Sequence, residues 1–113
     1  MVRRLAVFLA ALPLGGCLED PHRLEVTNQG GSEVEVKVVY DEWVEDEEGW
    51  GYYETQHDDT IVAPGRKVEL GYPDEPLHVR IQRTVDGLVL YDEWLSSAEF
   101  DEEHGRVEIV VYP

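Results

Sequence analysis

The sequence predicts an all-β protein, a single antiparallel β-sandwich of seven to eight strands. From residue 23 almost to the last residue, apolar and polar residues alternate with a period of two, as expected for strands with one buried face. Turn-forming residues interrupt this alternation about every 8–12 residues, which is the spacing of a sandwich. The sequence contains no long amphipathic helical pattern, so the helical fold classes are excluded.

The first two strands flank a glycine-rich turn. Leu24 and Val26 are the inward residues of the first strand, and the turn follows at 28–32, Asn-Gln-Gly-Gly-Ser. The second strand is predicted at 34–40, where valines alternate with glutamates and a lysine and Tyr40 ends the apolar set. A hairpin is the natural connection between two such strands.

The next strands are shorter and more polar. A third strand is predicted at 50–57 because the segment is rich in Trp, Tyr and Thr, and Gly51 weakens it enough to favour a sheet edge. A short fourth strand is predicted at 60–62. The turn Ala63-Pro64-Gly65 then leads into a fifth strand at 68–72, which ends before a proline.

The C-terminal part follows the same pattern. Further strands are predicted at 77–82, 88–94 and 107–111. Asp86-Gly87 predicts a hairpin turn between the first two, because glycine readily supplies the positive φ that a tight turn requires. Ser96 and Glu99 have the spacing of a capped helical turn before the last strand.

Two of these turns carry a family resemblance. The turn that leads from Asn28 into a valine-rich strand, and the turn at 63–68 that leads into another, resemble those of the immunoglobulin-like sandwich modules of bacterial envelope proteins. The resemblance implies two packed sheets over most of the chain. The tryptophan and paired cysteines of true antibody domains are not matched, since the sequence has a single cysteine.

The N-terminus carries a different motif. Arg3 and Arg4 precede an apolar run at 5–12, and Leu14-Gly15-Gly16-Cys17 follows with the single cysteine. This resembles the lipobox signal of bacterial lipoproteins. The resemblance implies cleavage between Gly16 and Cys17, followed by attachment of diacylglycerol and a further acyl chain, such as palmitate, to the new N-terminal cysteine. The apolar run is too short for a transmembrane helix, which needs about 20 residues.

The chain is therefore divided into a signal peptide at 1–16, a lipidated tether at 17–22 and a sandwich domain at 23–113. Several acyl chains together hold a protein firmly in a bilayer. In enteric-type bacteria an aspartate after the lipidated cysteine retains lipoproteins at the inner membrane. Leu18 stands there instead, so we expect a lipid-anchored protein of the cell envelope, with the outer membrane favoured.

The net charge limits the partners. The chain carries a formal charge of −16, and loss of Arg3 and Arg4 with the signal peptide makes the mature protein more negative still. Such a charge repels phosphate backbones and anionic lipid heads, which excludes nucleic-acid binding and electrostatic docking to a membrane. Basic partners and divalent cations stay open, as does a purely solubilising role of the charge.

One short motif occurs twice. Tyr40-Asp41-Glu42-Trp43 recurs as Tyr91-Asp92-Glu93-Trp94, each copy at a predicted strand end and before an acidic stretch. If the two ends lie at the same pole of the sandwich, their carboxylates would converge, and calcium prefers oxygen ligands from such loops. The first candidate ligands are Asp41, Glu42, Asp46, Asp92, Asp101 and Glu103. Chance clustering in so acidic a chain is the alternative, because the ordered EF-hand pattern is absent.

Aromatic residues form a second candidate site near the acidic stretches. They are Trp43, Trp50, Tyr52, Tyr53 and Trp94. Tyr52 and Tyr53 point to opposite faces of a strand, so we expect at least one outside the core. Exposed aromatic rings could stack on a sugar or hold a peptide, whereas buried ones would seal the ends of a small sandwich.

Catalytic patterns are weak. His57 with Asp58 and Asp59 is the only local cluster of zinc-ligand types, and the other histidines are scattered. No serine stands in a nucleophile elbow, although a carboxylate pair for glycoside hydrolysis stays open in a chain with 25 acids. We therefore expect a non-enzymatic envelope lipoprotein without a cofactor, binding a protein or glycan partner. The alternatives are a calcium-stabilised adhesion or structural domain and a small carboxylate-pair hydrolase.

Overall fold

The computed structural model describes residues 21–113, which form two packed β-sheets and one short helix. The elements are β1 (His22–Asn28), β2 (Val34–Glu45), β3 (Gly51–Val62), β4 (Lys67–Tyr72), β5 (Leu77–Arg83), β6 (Val89–Leu95), α1 (Ser97–Glu102) and β7 (Arg106–Val111). The predicted all-β sandwich is confirmed, with seven strands in this part of the chain. The predicted signal peptide, Cys17 and the tether as far as residue 20 lie outside the described residues.

The strands are divided between a four-stranded and a three-stranded sheet. The larger sheet has the order β3-β2-β5-β6 and is antiparallel throughout. The smaller has the order β4-β1-β7, in which β1 runs antiparallel to β4 and parallel to β7. The parallel pair is a detail that the alternation did not indicate. After β6 the chain leaves the larger sheet, passes through α1 and enters the smaller sheet as β7, beside β1.

The core lies between the inward faces of the two sheets. The buried residues that alternate along the strands are Leu24, Val26, Val34, Val36, Val38, Tyr40, Leu70, Tyr72, Leu77, Val79, Ile81, Leu95, Ile109 and Val111. Phe100 of α1 closes one end, stacked on the buried ring of His22 with centroids 4.2 Å apart. Full burial of each large apolar side chain contributes about 1.5–3 kcal/mol, and these side chains hold the sandwich together.

The predicted turns and the helix cap are present. Buried Asn28 donates from Nδ2 to the carbonyl of Val62 at 3.1 Å, which ties the first turn to the end of β3. Gly87 has φ 74°, as expected for its turn, although residues 84–88 all lie between β5 and β6. Ser96 and Glu99 form a complete capping box at the start of α1.

The prediction of separate third and fourth strands is wrong, because residues 51–62 form one continuous strand. Its register against β2 runs without a break from Gly51 opposite Glu45 to Val62 opposite Val34. Asp58 and Asp59 stay in this register opposite Val38 and Lys37. An edge strand tolerates such charged residues, since one of its sides faces water.

Candidate functional site

The main departure from a plain sandwich is a hairpin that extends beyond the sheet. Pairing between β2 and β5 ends at Val39 opposite His78, because β5 begins only at Leu77, after Pro76. Residues 41–45 pair only with residues 51–55. At about 3.3 Å per residue, this segment extends about 15 Å past the sheet. We call residues 41–55 the projecting hairpin.

The tip of the projecting hairpin is held by a local hydrogen-bond network. Asp46 accepts two bonds at Oδ1, from the backbone N–H groups of Glu48 and Trp50, each at 2.9 Å. The backbone N–H of Asp46 also donates to the carbonyl of Trp50 at 2.9 Å. Gly49 completes the turn with φ 88°, a conformation that glycine adopts without strain. The acidic tip is therefore an ordered turn.

Aromatic side chains of the projecting hairpin are exposed to solvent. Trp50 is 72% exposed, and Trp43, Tyr52 and Tyr53 are about half exposed. Trp94, on the neighbouring part of the sheet, is 64% exposed. The alternative that these tryptophans seal the ends of the sandwich is wrong, because all three are more than half exposed.

Two of these rings are fixed against each other on the outer face of the hairpin, the face turned away from the core. Trp43 and Tyr53 are directly opposite in the register, and their rings meet edge to face with centroids 5.1 Å apart. The indole of Trp43 also lies over Gly51, where a Cβ atom would collide with it. Such a pair is an ordered aromatic surface, since its rings hold a defined geometry.

The projecting hairpin is strongly acidic. Its acidic residues are Asp41, Glu42, Glu45, Asp46, Glu47, Glu48 and Glu54, and it contains no lysine or arginine. The nearest basic residues on the paired strands are Lys37, which lies 3.7 Å from a Glu35 carboxylate, and Arg80, which lies 3.7 Å from that of Asp92. The projecting hairpin therefore combines exposed aromatic rings with a large net negative charge.

The two copies of the repeated motif do not form the predicted calcium site. The second copy lies at the end of β6 as predicted, whereas β2 continues past the first copy to Glu45. Tyr91 pairs with Ile81, and Ile81 pairs with Val36. Along the strand direction the second copy therefore begins four residues, about 13 Å, from the start of the first copy. Among residues 21–113, no group of three Asp, Glu, His or Cys side chains is arranged to hold a metal ion.

The individual candidate ligands have other contacts or positions. Asp41 accepts from the Thr55 hydroxyl at 3.0 Å, and Asp46 holds the hairpin tip. Asp92 lies 2.6 Å from Nε2 of His78. Asp101 and Glu103 are exposed at the end of α1, and Glu42 points to the inner-face side of the hairpin, opposite Glu54.

A smaller polar cluster surrounds Trp94 on the outer face of the larger sheet. The ring of His78 contacts the indole of Trp94 with centroids 5.0 Å apart, and Asp92 bonds to His78 from the next position on that face. His57 lies on the same face but across Val39 from His78. The two histidines are thus separated by a whole strand, and His57 with Asp58 and Asp59 gains no further ligand.

β3 forms one edge of the larger sheet. It pairs with β2 on one side and with no strand of residues 21–113 on the other. Its open row of backbone groups runs from the hairpin tip toward Val62, whose carbonyl already accepts from Nδ2 of Asn28. Gly51 and Glu54 were not among the candidate residues, because their importance depends on which strand lies opposite and which side stays open.

The chain enters the sandwich at the end from which the hairpin projects. Tyr40, at the base of the hairpin, meets Tyr72 edge to face at 5.1 Å. Tyr72 is directly opposite His22, the first residue of β1. His22, the first residue of β1, therefore lies near the base of the projecting hairpin. Within residues 21–113, no helix has the length and apolar character needed to cross a membrane.

Comparison with solved structures shows the same fold in part of several bacterial toxins. Similar structures include the cytotoxin suilysin from Streptococcus suis (TM-score 0.62, 18% identity), pneumolysin (0.59, 12%) and listeriolysin O (0.55, 12%). Each match covers 80% of this chain and 20–21% of the toxin. The chain thus spans about a fifth of the length of the structures it matches, and at this identity the likeness shows the fold alone. No protein-family model and no curated protein matches the sequence.

Proposed function

We propose that this chain is a non-enzymatic lipoprotein of the cell envelope, which binds a protein or glycan partner through its projecting hairpin. Cys17 is the lipid-attachment residue, Gly16 precedes the cleaved bond, and the sandwich is the binding domain. The outer membrane is the favoured location. The basic start, short apolar run and lipobox support the anchor.

One observation carries the binding role: the projecting hairpin exposes four large aromatic side chains, of which Trp43 and Tyr53 are fixed against each other. Several exposed Trp and Tyr residues on one element place apolar area in water, which is a feature of interaction sites rather than of plain surface. Both residue types dominate the energetics of protein interfaces. A hairpin needed only for stability would bury them against the core instead.

The position of the entry point adds a constraint. An anchor at Cys17 would be five residue-to-residue steps from His22, which span at most about 17 Å. The hairpin extends about 15 Å from the same end of the sandwich. The hairpin of the anchored protein would therefore lie beside the leaflet, and its partner would be met close to the membrane surface.

The anchor is tested by Cys17→Ser. The wild-type chain should incorporate labelled palmitate and sediment with membranes, whereas the variant should remain unprocessed or soluble and unlabelled. Gly15→Ala, which alters the lipobox but keeps the cysteine, is a control that should still be labelled. Equal labelling of the wild type and Cys17→Ser would refute the anchor.

The binding role is tested by photo-crosslinking in intact envelopes. A photoreactive residue at position 50 should give a discrete crosslinked product, because Trp50 is exposed at the tip. The matched control is position 85, where Val85 is 79% exposed at the opposite end of the sandwich. The same products from both positions, or none from position 50, would exclude the hairpin as the binding site.

A further inference from the structure

We propose that the occupant of the projecting hairpin is a basic, extended polypeptide segment, rich in Arg or Lys, which pairs along the free edge of β3. This inference rests on the proposed function and specifies the chemistry of the partner. Three properties of the hairpin support it independently: its charge, its exposed aromatic rings and its open backbone edge.

The charge selects a cationic partner. Seven carboxylates and no basic residue lie within residues 41–55, and the nearest basic side chains on the paired strands, Lys37 and Arg80, are already close to Glu35 and Asp92. A basic segment would neutralise this charge and would be attracted from a distance by it. A neutral glycan would leave the negative charge uncompensated.

The aromatic rings offer a second contact to the cationic side chains of such a partner. Trp43 and Tyr53 lie on the outer face, with the carboxylates of Asp41 and Glu45 at the adjacent positions of that face. Guanidinium and ammonium groups are attracted to the faces of Trp and Tyr rings as well as to carboxylates. A ring between two carboxylates is therefore suited to an Arg or Lys side chain.

The edge of β3 supplies backbone hydrogen bonds. An extended peptide that adds to a sheet edge gains main-chain bonds along its length, while alternate side chains reach one face. A segment paired with β3 in this way would direct every second side chain toward the outer face that holds Tyr53 and Thr55. An alternation of basic and small residues matches this geometry.

The charge also argues against a second copy as the occupant. Two β3 edges brought together would juxtapose the carboxylates of Glu54, Asp58 and Asp59 from both chains. Like charges across paired strands are destabilising, and charged edge residues are a common protection against self-pairing. The same acidic edge that repels a copy would attract a basic strand.

The test uses the full-length chain in a non-ionic detergent and a labelled synthetic peptide of about ten residues with alternating Arg and Thr, the length of a typical added strand. Fluorescence anisotropy should show saturable binding that weakens strongly in about 0.5 M salt, where the Debye length falls to a few ångströms. A peptide with Glu in place of Arg should not bind. N-methylation of every second residue of the Arg peptide should abolish binding by removing its strand-pairing donors.

Matched charge variants locate the site. The triple variant Glu45→Gln, Glu47→Gln, Glu48→Gln should weaken peptide binding about tenfold, since each lost charge pair removes a modest increment. The triple variant Asp101→Asn, Glu102→Gln, Glu103→Gln removes the same charge from exposed positions near α1 and should leave binding within about twofold. Trp43→Ala should also weaken binding, with an unchanged far-ultraviolet circular dichroism spectrum of the sandwich.

Each contrary result has a definite meaning. Equal weakening by both triple variants would show only attraction to the overall charge and would overturn the inference. Absence of peptide binding, binding that N-methylation leaves intact, concentration-dependent self-association at β3, or selective binding of a neutral oligosaccharide would overturn it as well. Crosslinking from position 50 with no binding of the basic peptide would retain the proposed function and reject only this partner chemistry.

Discussion

The indole of Trp43 lies over the backbone of Gly51, in the space that a side chain at position 51 would fill. Glycine ordinarily weakens a strand, and an aromatic ring placed over a strand glycine can compensate for the missing side chain. Tyr53 meets the same indole edge to face. Gly51 therefore makes room for the aromatic pair on the outer face of the projecting hairpin.

Gly51→Ala should displace the Trp43 indole. Because Trp43 is about half exposed and can swing into water, the free energy of unfolding should fall by only about 1 kcal/mol, at the low end of the cost of overpacking. The direct measurement is Trp43 fluorescence in a Trp50→Phe, Trp94→Phe background, where emission should shift to the red. Gly31→Ala is the control, since a Cβ there meets nothing within 4 Å. Unchanged emission would contradict the contact.

Arg106→Met should destabilise the smaller sheet by about 1 kcal/mol, the low end of the cost of an unsatisfied buried polar group, because Lys67 Nζ still lies 3.6 Å from the other oxygen of Glu25. Glu25 is nearly buried and directly opposite both Glu69 and Glu108, and Arg106 lies within 3.8 Å of all three carboxylates. Urea denaturation measures the loss. Glu108→Gln is the control and should change stability by less than about 0.5 kcal/mol, because that side chain is exposed.

Asp86 should remain ionised well below the usual range for a carboxyl group. Donation from the Arg83 side chain, with further help from the backbone N–H of Leu88, lowers its pKa from 3.8 to about 2. A lowered pKa in the folded state stabilises the fold above pH 3.8, and this contribution is lost as the pH falls toward 2. Carboxyl NMR titration measures the pKa directly. Arg83→Gln should return it toward 3.8, and a wild-type value already near 3.8 would disprove the interaction.

Tyr91 should resist ionisation at alkaline pH. Partial burial raises its pKa from 10.0 to about 12, and a hydrogen bond with Glu93 and the negative charges of Glu93 and Glu99 act in the same direction. Because the folded state favours the neutral phenol, the raised pKa of Tyr91 stabilises the fold below pH 10. This contribution to the free energy of unfolding is lost as the pH rises toward 12. Phenolate absorbance compared between the wild type and Tyr91→Phe isolates this residue. Ionisation near pH 10 would contradict the prediction.

The alternation of apolar residues predicted most of the strands correctly, because it follows directly from the burial of one face of each strand. Val34, Val36 and Val38 have a period that only a half-buried strand satisfies, and all three lie in the core. The cap at Ser96 and the turn at Gly87 were predicted for an equally local reason: both depend on the chemistry of one or two neighbouring residues.

The merged third strand and the length of β2 could not be predicted in the same way. Asp58 and Asp59 interrupt the apolar alternation, so the sequence indicated a break, whereas the register with β2 carries the strand across them. Asp41 and Glu45 likewise belong to a strand because Thr55 and Gly51 lie opposite them. Whether a polar segment of this kind belongs to a strand depends on the strand opposite it, so it cannot be predicted from the segment's own residues.

Local sequence patterns were sufficient to predict an all-strand sandwich, its turns and helix cap, and an acidic and aromatic segment at 41–55. The exposure of these aromatic side chains follows instead from how the strands pair. β5 begins at Leu77, level with the base of the hairpin, so no third strand continues beside residues 41–55. The physical reason is that a strand's period fixes which residues share a face, whereas burial of that face depends on neighbours that come from elsewhere in the chain.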